Sequence, residues 1–148
     1  MGIEMNRKKR RYWGTTFEFA CNKYIDSIAQ PLFNVKHEVI NYEITAVYNN
    51  ETSEIRLCFD LPSFPFLFIK HAEPGDARKP VTRKIKSQSI SKALVKIEKE
   101  FNSFRSLDIT EWMKNCTDGQ YDDLMLRGIE IIADYLSERF GLAKSDLK

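Results

Sequence analysis

Two stretches near the middle of the chain alternate between apolar and polar residues, the pattern of an extended strand with one buried face. The first runs from Ile40 to Tyr48 and the second from Glu54 to Leu61, with the turn-forming segment Asn49–Thr52 between them. To bury both apolar faces on one side of a sheet, the numbers of paired residues must have an odd sum. We expect an antiparallel hairpin with a sum of 101, because this sum leaves the common four-residue loop Asn49–Thr52.

A third strand is predicted over Phe64–Ile69, with three phenylalanines on one face and two aliphatic residues on the other. Pro62 and Pro65 near its start favour the edge of the sheet, because proline cannot donate to the hydrogen-bonded ladder. An edge strand that is apolar on both faces must be covered by a second copy of the chain, by a partner protein or by the chain's own C-terminal helix. The candidate protein interface comprises Phe64, Phe66, Leu67, Phe68 and Ile69.

Apolar residues at helical spacing predict helices on both sides of these strands. The first helix is expected near residues 16–30, with Thr15 and Glu18 as a capping box. The second is expected near residues 89–104, where Leu94 belongs to a narrow apolar stripe that must dock on the sheet. One hydrophobic core should therefore join these two helices to the sheet.

Two more helices are expected in the C-terminal third. A short helix begins near Asp108, and a longer one covers residues 120–140 and ends at Gly141 as its C-cap. The predicted fold is α+β, a three-stranded antiparallel meander packed against helices in the order α-β-β-β-α-α-α. The expected division of the chain is a flexible basic arm over residues 1–14, a single α+β domain over residues 15–142 and a frayed tail over residues 143–148.

The formal net charge of +2 hides blocks of alternating sign. Residues 1–14 carry +4 and residues 72–99 carry +5, whereas residues 15–71 carry −3 and residues 100–148 carry −4. Two separate basic concentrations on a nearly neutral protein favour contact with a polyanion. The first is the run Arg7–Arg11, followed by two aromatic residues that would stack on unpaired bases or, alternatively, pin the arm to the first helix.

The second basic concentration is the loop before the second helix, continued by Lys92, Lys96 and Lys99 along one side of that helix. A continuous basic surface favours phosphate contacts, and the alternative is an ordinary solvated helix face. The predicted nucleic-acid-binding residues are Arg7, Lys8, Lys9, Arg10, Arg11, Tyr12, Trp13, Arg78, Lys79, Arg83, Lys84, Lys86, Lys92 and Lys96.

The sequence carries no recognisable catalytic or metal-binding pattern. His37 and His71 are predicted at opposite ends of the sheet, and no two of the three cysteines have the short spacing of a zinc or redox motif. Glu43 and Asp60 would face each other only if paired numbers summed to 103, and like charges so placed are destabilising. We therefore expect no enzyme activity, no catalytic residue, no cofactor, no metal and three reduced thiols.

These observations predict a small, non-enzymatic, intracellular binding or regulatory protein that contacts nucleic acid or another polyanion through its basic arm and basic loop. The alternative is a protein–protein interaction module (an inhibitor, adaptor, immunity protein or chaperone) that uses the Phe-rich strand or the acidic C-terminal helices. No apolar segment approaches the roughly 20 residues of a membrane span, and no apolar core of a secretory signal follows the basic N-terminus. We expect a cytoplasmic protein with no membrane partner, or a nuclear one in a eukaryote, where Arg7–Arg11 would serve as a localisation signal.

Overall fold

The computed structural model describes residues 2–40, 43–60, 63–72, 80–104, 111 and 114–142, and for residues 2–7 the backbone alone. Neighbouring strands pair antiparallel in chain order across one sheet. The strands are β1 (Asn34–Ile40), β2 (Glu43–Asn49), β3 (Ser53–Phe59), β4 (Phe66–His71) and β5 (Arg83–Ile85). The α+β class and the meander are confirmed, but the sheet has five strands rather than three.

Helices flank the sheet in the sequence, before β1 and after β5. They are α1 (Gly2–Cys21), α2 (Ser27–Ala29), α3 (Ser87–Ile90), α4 (Lys92–Ser103) and α5 (Asp118–Phe140), with the π-helical turn Asn22–Asp26 between α1 and α2. The predicted order α-β-β-β-α-α-α is therefore wrong in both the strands and the helices. None of the described helices combines the length and the apolar character needed to cross a membrane.

The basic N-terminal segment is part of a helix, so the expected start of the first helix near residue 16 is wrong. α1 already begins at Gly2, and Trp13 is completely buried with its ring stacked on Tyr121 at a centroid distance of 4.1 Å. Thr15 does not cap a helix, because its hydroxyl donates to the carbonyl of Arg11 one turn earlier (2.9 Å). Burial of a large aromatic ring at position 13 explains why the helix extends so far back.

The ends of α5 are formed by side-chain and glycine caps. The hydroxyl of Thr117 accepts a bond from the backbone N–H of Gln120 (3.1 Å), and the Gln120 side chain accepts one from the backbone N–H of Thr117 (2.9 Å). This reciprocal pair satisfies two backbone donors at the start of the helix. Gly141 has φ +65°, which confirms it as the left-handed C-cap.

Most of the first alternating stretch forms β2, and an additional strand before it, β1, pairs with β2 antiparallel so that Asn34 lies opposite Asn49. In the next hairpin Ile44 pairs with Phe59, so the paired numbers sum to 103 and the expected register of 101 is wrong. Both sums keep the apolar faces together. Asn50 closes the loop of this hairpin, because its side-chain oxygen accepts bonds from the backbone N–H groups of Thr52 and Ser53 (both 2.9 Å).

The Phe-rich strand lies inside the sheet and not at its edge, because β5 pairs with β4 on the side away from β3. Leu67 and Ile69 are buried in the core, and Phe64 precedes the strand and packs edge-on against Phe101 at a centroid distance of 5.4 Å. These three residues of the predicted interface are therefore covered by the chain itself. Phe66 and Phe68 remain half-buried on the opposite face.

The predicted second helix is interrupted at Ser91, whose extended backbone separates α3 from α4. The Ser91 hydroxyl accepts a bond from the backbone N–H of Leu94 (3.1 Å) and so caps α4. Leu94 is buried, as predicted, in a core that joins α1, α4 and α5 to one face of the sheet. A Cβ added at Gly128 of α5 would lie 2.7 Å from Cζ of Phe64, so the packing of that ring leaves no room for a side chain at this position.

Three predictions concern residues outside the described ranges. These are most of the short helix near Asp108, the tail over residues 143–148, and the loop that contains Arg78 and Lys79.

Candidate functional site

The N-terminal basic run contacts the start of α5 through the side chain of Lys9. Nζ of Lys9 donates to the backbone carbonyl of Cys116 (2.8 Å), and lies 3.8 Å from a carboxylate oxygen of Asp118 and 5.4 Å from the ring centre of Trp13. Lys8 and Arg11 are exposed, Arg10 is half-buried, and the side chain of Arg7 is outside the described part of the chain. Within this run, Lys9 is therefore bound to α5, whereas Lys8 and Arg11 are exposed.

The two aromatic residues after this run also contact the acidic end of α5. The indole N–H of Trp13 donates to Asp118 (3.2 Å), and the hydroxyl of Tyr12 donates to Asp122 (2.7 Å). The bond to Asp122 raises the pKa of Tyr12, because it stabilises the protonated phenol. Thr16 donates to the other carboxylate oxygen of Asp122 (2.8 Å). Because the ring of Trp13 is buried, it is not exposed for stacking on a base, and its contacts attach this segment to α5 and not, as the alternative had it, to the first helix.

The second basic concentration has a different environment. Its described members form no ion pair with any described acidic residue, and all of their side chains are exposed. We call this set the basic ridge, and its residues are Arg83, Lys84, Lys86, Lys92, Lys96 and Lys99.

A groove of about 370 Å³ lies where β4 and β5 approach α3 and α4. Its rim carries three residues of the basic ridge, Lys84, Lys86 and Lys99, and its apolar lining includes Phe64 and Leu94. Glu98 is the only acidic residue among the lining residues that the structure describes, and its carboxylate accepts a hydrogen bond from the Ser87 hydroxyl. The groove is therefore polar at its rim, apolar below, and positive in net charge.

The basic ridge is not continuous in the way that was predicted. Lys99 faces the groove, whereas Lys96 lines a separate hollow together with Glu100, Arg127 and Glu130. Arg127 reaches both Asp123 (2.8 Å) and Glu100 (3.7 Å), so charges in that hollow are largely balanced. The groove thus concentrates the unpaired positive charge in the half of the ridge nearest β5.

A buried polar network lies on the other side of the molecule, and sequence reasoning missed it. Asp26, at the end of the π-helical turn, accepts a hydrogen bond from the Tyr48 hydroxyl (2.6 Å) and lies 2.9 Å from Nε2 of His37. The neighbouring Asp26 carboxylate raises the pKa of His37, since it favours the charged imidazolium. No spacing in the sequence could reveal this network, because it requires the sheet to place Tyr48 and His37 over one carboxylate.

The remaining chemical groups offer no catalytic arrangement in the described residues. The three cysteines are free, as predicted, and burial raises the pKa of Cys116 to about 11, which keeps it a thiol at neutral pH. The observed register is the one that would bring Glu43 toward Asp60, but the pairing of β2 with β3 ends at Ile44 and Phe59. Within the described ranges, no three histidine, cysteine, aspartate or glutamate side chains are placed to hold a metal ion.

Comparison with known proteins does not add to this description. No protein-family model matches the chain, and neither the curated proteins nor the solved structures contain a significant match to it. The site must therefore be interpreted from its own chemistry.

Proposed function

We propose that the protein binds nucleic acid through the basic ridge, without catalysing a reaction. The observation that supports this proposal is the position of the ridge: its residues are exposed, have no described acidic partner and border a groove, whereas Lys9 of the N-terminal basic run is bound to α5. Unpaired lysine and arginine side chains neutralise phosphates and release the counterions condensed on them. The groove next to Lys84, Lys86 and Lys99 provides the recess in which a phosphate backbone would lie.

The test is a fluorescence-anisotropy titration of labelled oligonucleotides at several salt concentrations. The variant is Arg83→Gln combined with Lys84→Gln and Lys86→Gln, which removes three charges while leaving the backbone pairing of β5 with β4 in place. For each phosphate that the variant no longer neutralises, the slope of log affinity against log salt should flatten by roughly 0.7 on a single strand and 0.9 on a duplex. Affinity should fall similarly for all base sequences, because phosphate contacts carry no base information.

A matched control removes the same charge elsewhere. Lys23→Gln, Lys36→Gln and Lys114→Gln alter three exposed lysines outside the ridge. If binding depends on position, this control keeps the wild-type slope. Equal losses of affinity in both triple variants would mean that net charge alone attracts the polyanion, and no binding at low salt would overturn the proposal. Binding to heparin in the absence of binding to DNA or RNA would also overturn it.

A second function, protein–protein interaction, is favoured by the opposite edge of the sheet. Within the described ranges β1 pairs only with β2, and its last two residues, Val39 and Ile40, are 59% and 67% exposed. An open edge with exposed apolar side chains can accept a strand from another protein. Replacing Ile40 by Lys should abolish any self-association seen by light scattering, and a wild-type monomer that captures no partner would contradict this second function.

A further inference from the structure

We propose that the nucleic acid is single-stranded, and that Phe66 and Phe68 on the outer face of the sheet stack on its bases. This inference rests on the proposed function of the basic ridge and deepens it. We call the sheet face away from the core the outer face. The burial pattern of β3 defines it, because every second residue of that strand is buried and the residues between are half-exposed.

The strand register places Phe68 directly opposite a basic residue on each neighbouring strand. Phe68 lies opposite Arg56 of β3 on one side and Lys84 of β5 on the other, and Phe66 lies opposite Cys58. Residues directly opposite each other in antiparallel strands share a face, so these side chains all belong to the outer face. Phe68 thus lies between two basic residues, of which Arg56 is ion-paired with Glu54 and Glu38, whereas Lys84 forms no ion pair with a described acidic residue.

The rings themselves are arranged as a platform and not as part of the core. Phe66 and Phe68 pack edge to face at a centroid distance of 5.6 Å, and both remain partly exposed. Their positions two residues apart place them roughly 6.6 Å apart along the strand. Stacking of a base on an aromatic ring requires such a partly exposed ring and tolerates any base, since every base has a π-face.

Lys84 connects the platform to the groove. Its Nζ lies 5.0 Å from the ring centre of Phe66, and both residues also line the groove beneath the basic ridge. A base on Phe66 would displace this flexible side chain toward the phosphate of the same nucleotide. The contacts therefore give one path, with bases over β4 and the sugar–phosphate chain running toward Lys86 and Lys99.

The charge pattern of the outer face limits the path to β4 and β5. Arg56 lies 3.2 Å from Glu54 and 3.8 Å from Glu38, and Lys36 lies 3.4 Å from Glu38, so the half of the face near β1 is an ion-pair network. A duplex does not fit this arrangement, because its bases are already stacked on one another and expose only their edges in the grooves. The aromatic and basic half accordingly selects unpaired strands.

The test compares a fluorescein-labelled oligothymidylate with a mixed-sequence duplex of the same length in anisotropy titrations at low salt. Phe66→Leu and Phe68→Leu should each weaken single-strand binding by roughly 5- to 150-fold, which corresponds to about 1–3 kcal/mol per stacked base. Duplex binding should be the same in wild type and variants. Phe19→Leu is the matched control, because Phe19 is 57% exposed on α1, away from the ridge, and should leave both affinities unchanged.

The aromatic-to-aromatic variants Phe66→Tyr and Phe68→Tyr should retain wild-type affinity, which separates stacking from any loss of folding in the leucine variants. If the leucine variants bind the oligothymidylate as well as wild type does, while the Arg83→Gln, Lys84→Gln and Lys86→Gln variant is weakened, the stacking inference is overturned and the proposed function stands. Tighter binding of the duplex would also overturn it. If neither oligonucleotide binds wild type, the proposed function fails with it.

Discussion

The two basic regions of this protein have similar composition and different environments. In the N-terminal region, Lys9 bonds to the carbonyl of Cys116 and lies beside Asp118, and the neighbouring Tyr12 donates to Asp122. In the basic ridge, no described acidic side chain reaches Lys84 or Lys86. The comparison teaches that a run of positive residues predicts a binding surface only when the fold brings no acidic element to it.

The difference has a simple structural cause. α1 packs along α5, whose first turns carry Asp118 and Asp122, so Lys9 lies beside Asp118, and Tyr12 and Thr16 donate to Asp122. The groove beside the ridge has only Glu98 among its described lining residues, and the hydroxyl of Ser87 already occupies that carboxylate. In the first region the charge of Lys9 contributes to the packing of α1 on α5. In the second region Lys84 and Lys86 are exposed and have no described acidic partner.

The largest expected effect tests whether the N-terminal region belongs to the fold. Replacing Trp13 by Ala should lower the free energy of unfolding by about 3–5 kcal/mol, because it removes a fully buried ring that stacks on Tyr121 and bonds to Asp118. Urea denaturation measures this change. Phe19→Ala on the same helix is the control and should change stability by less than about 0.5 kcal/mol. Equal stability of the Trp13→Ala variant and wild type would mean that the segment is an independent arm after all.

The second effect tests how the helix that carries the basic ridge is held in place. Leu94→Ala should cost about 2–5 kcal/mol, because Leu94 is buried and α4 is attached by its apolar stripe and not by its lysines. Lys92→Ala, two residues away on the exposed side, should stay within about 0.5 kcal/mol of wild type. Thermal or urea unfolding distinguishes the two variants, and a larger loss of stability for Lys92→Ala would contradict this view of α4.

A smaller effect concerns the packing of α1 on α5. Thr16→Val keeps the shape of the side chain but removes the hydroxyl that donates to Asp122, so it should destabilise the protein by about 0.5–1.5 kcal/mol. Thr82→Val is the control at an exposed position beside the ridge. If the two variants unfold at the same urea concentration, the hydrogen bond to Asp122 contributes nothing to the attachment.

The smallest effect is a pH dependence of stability at a second ion pair, between His37 and Asp26. The pKa of His37 is raised by its ion pair with Asp26, so the stabilisation is fully present below the ordinary histidine pKa of about 6.5 and is lost as pH rises through the higher folded value. Glu18 also favours the charged imidazole. The free energy of unfolding should therefore fall as pH increases above about 6.5. His37→Gln should remove this fall and His71→Gln should retain it, and a dependence unchanged in His37→Gln would exclude this ion pair as its cause.

The sequence predicted those features that depend on neighbouring residues. The apolar stripe through Leu94, the glycine cap at Gly141 and the parity of the β2–β3 pairing are all read from local spacing, and all are confirmed. The register itself depends on the loop that the Asn50 side chain closes, and hydrophobic alternation cannot distinguish this register from the expected one, because both have the same parity. β5 was missed because Arg83–Ile85 is short and mostly charged, with no alternation to indicate a strand.

The candidate site was harder to predict because its components are distant in the chain. Trp13 was assigned to a mobile arm, since its partners Asp118 and Tyr121 lie more than a hundred residues later. Phe66 and Phe68 were correctly placed on one strand, but their strand was predicted at an edge because the sequence gives no sign of β5. The lysines of the ridge were identified from composition alone, and only the structure separates Lys96 from Lys84 and Lys99.

Gly128 links the interior of the protein to the size of the groove. It does not line the groove, but its missing side chain allows the ring of Phe64, which does line it, to sit against α5. A side chain at this position would push that ring toward the cavity of about 370 Å³ and reduce its capacity. Variation at a single buried position could thus alter which ligands fit, while every charge on the surface stays the same.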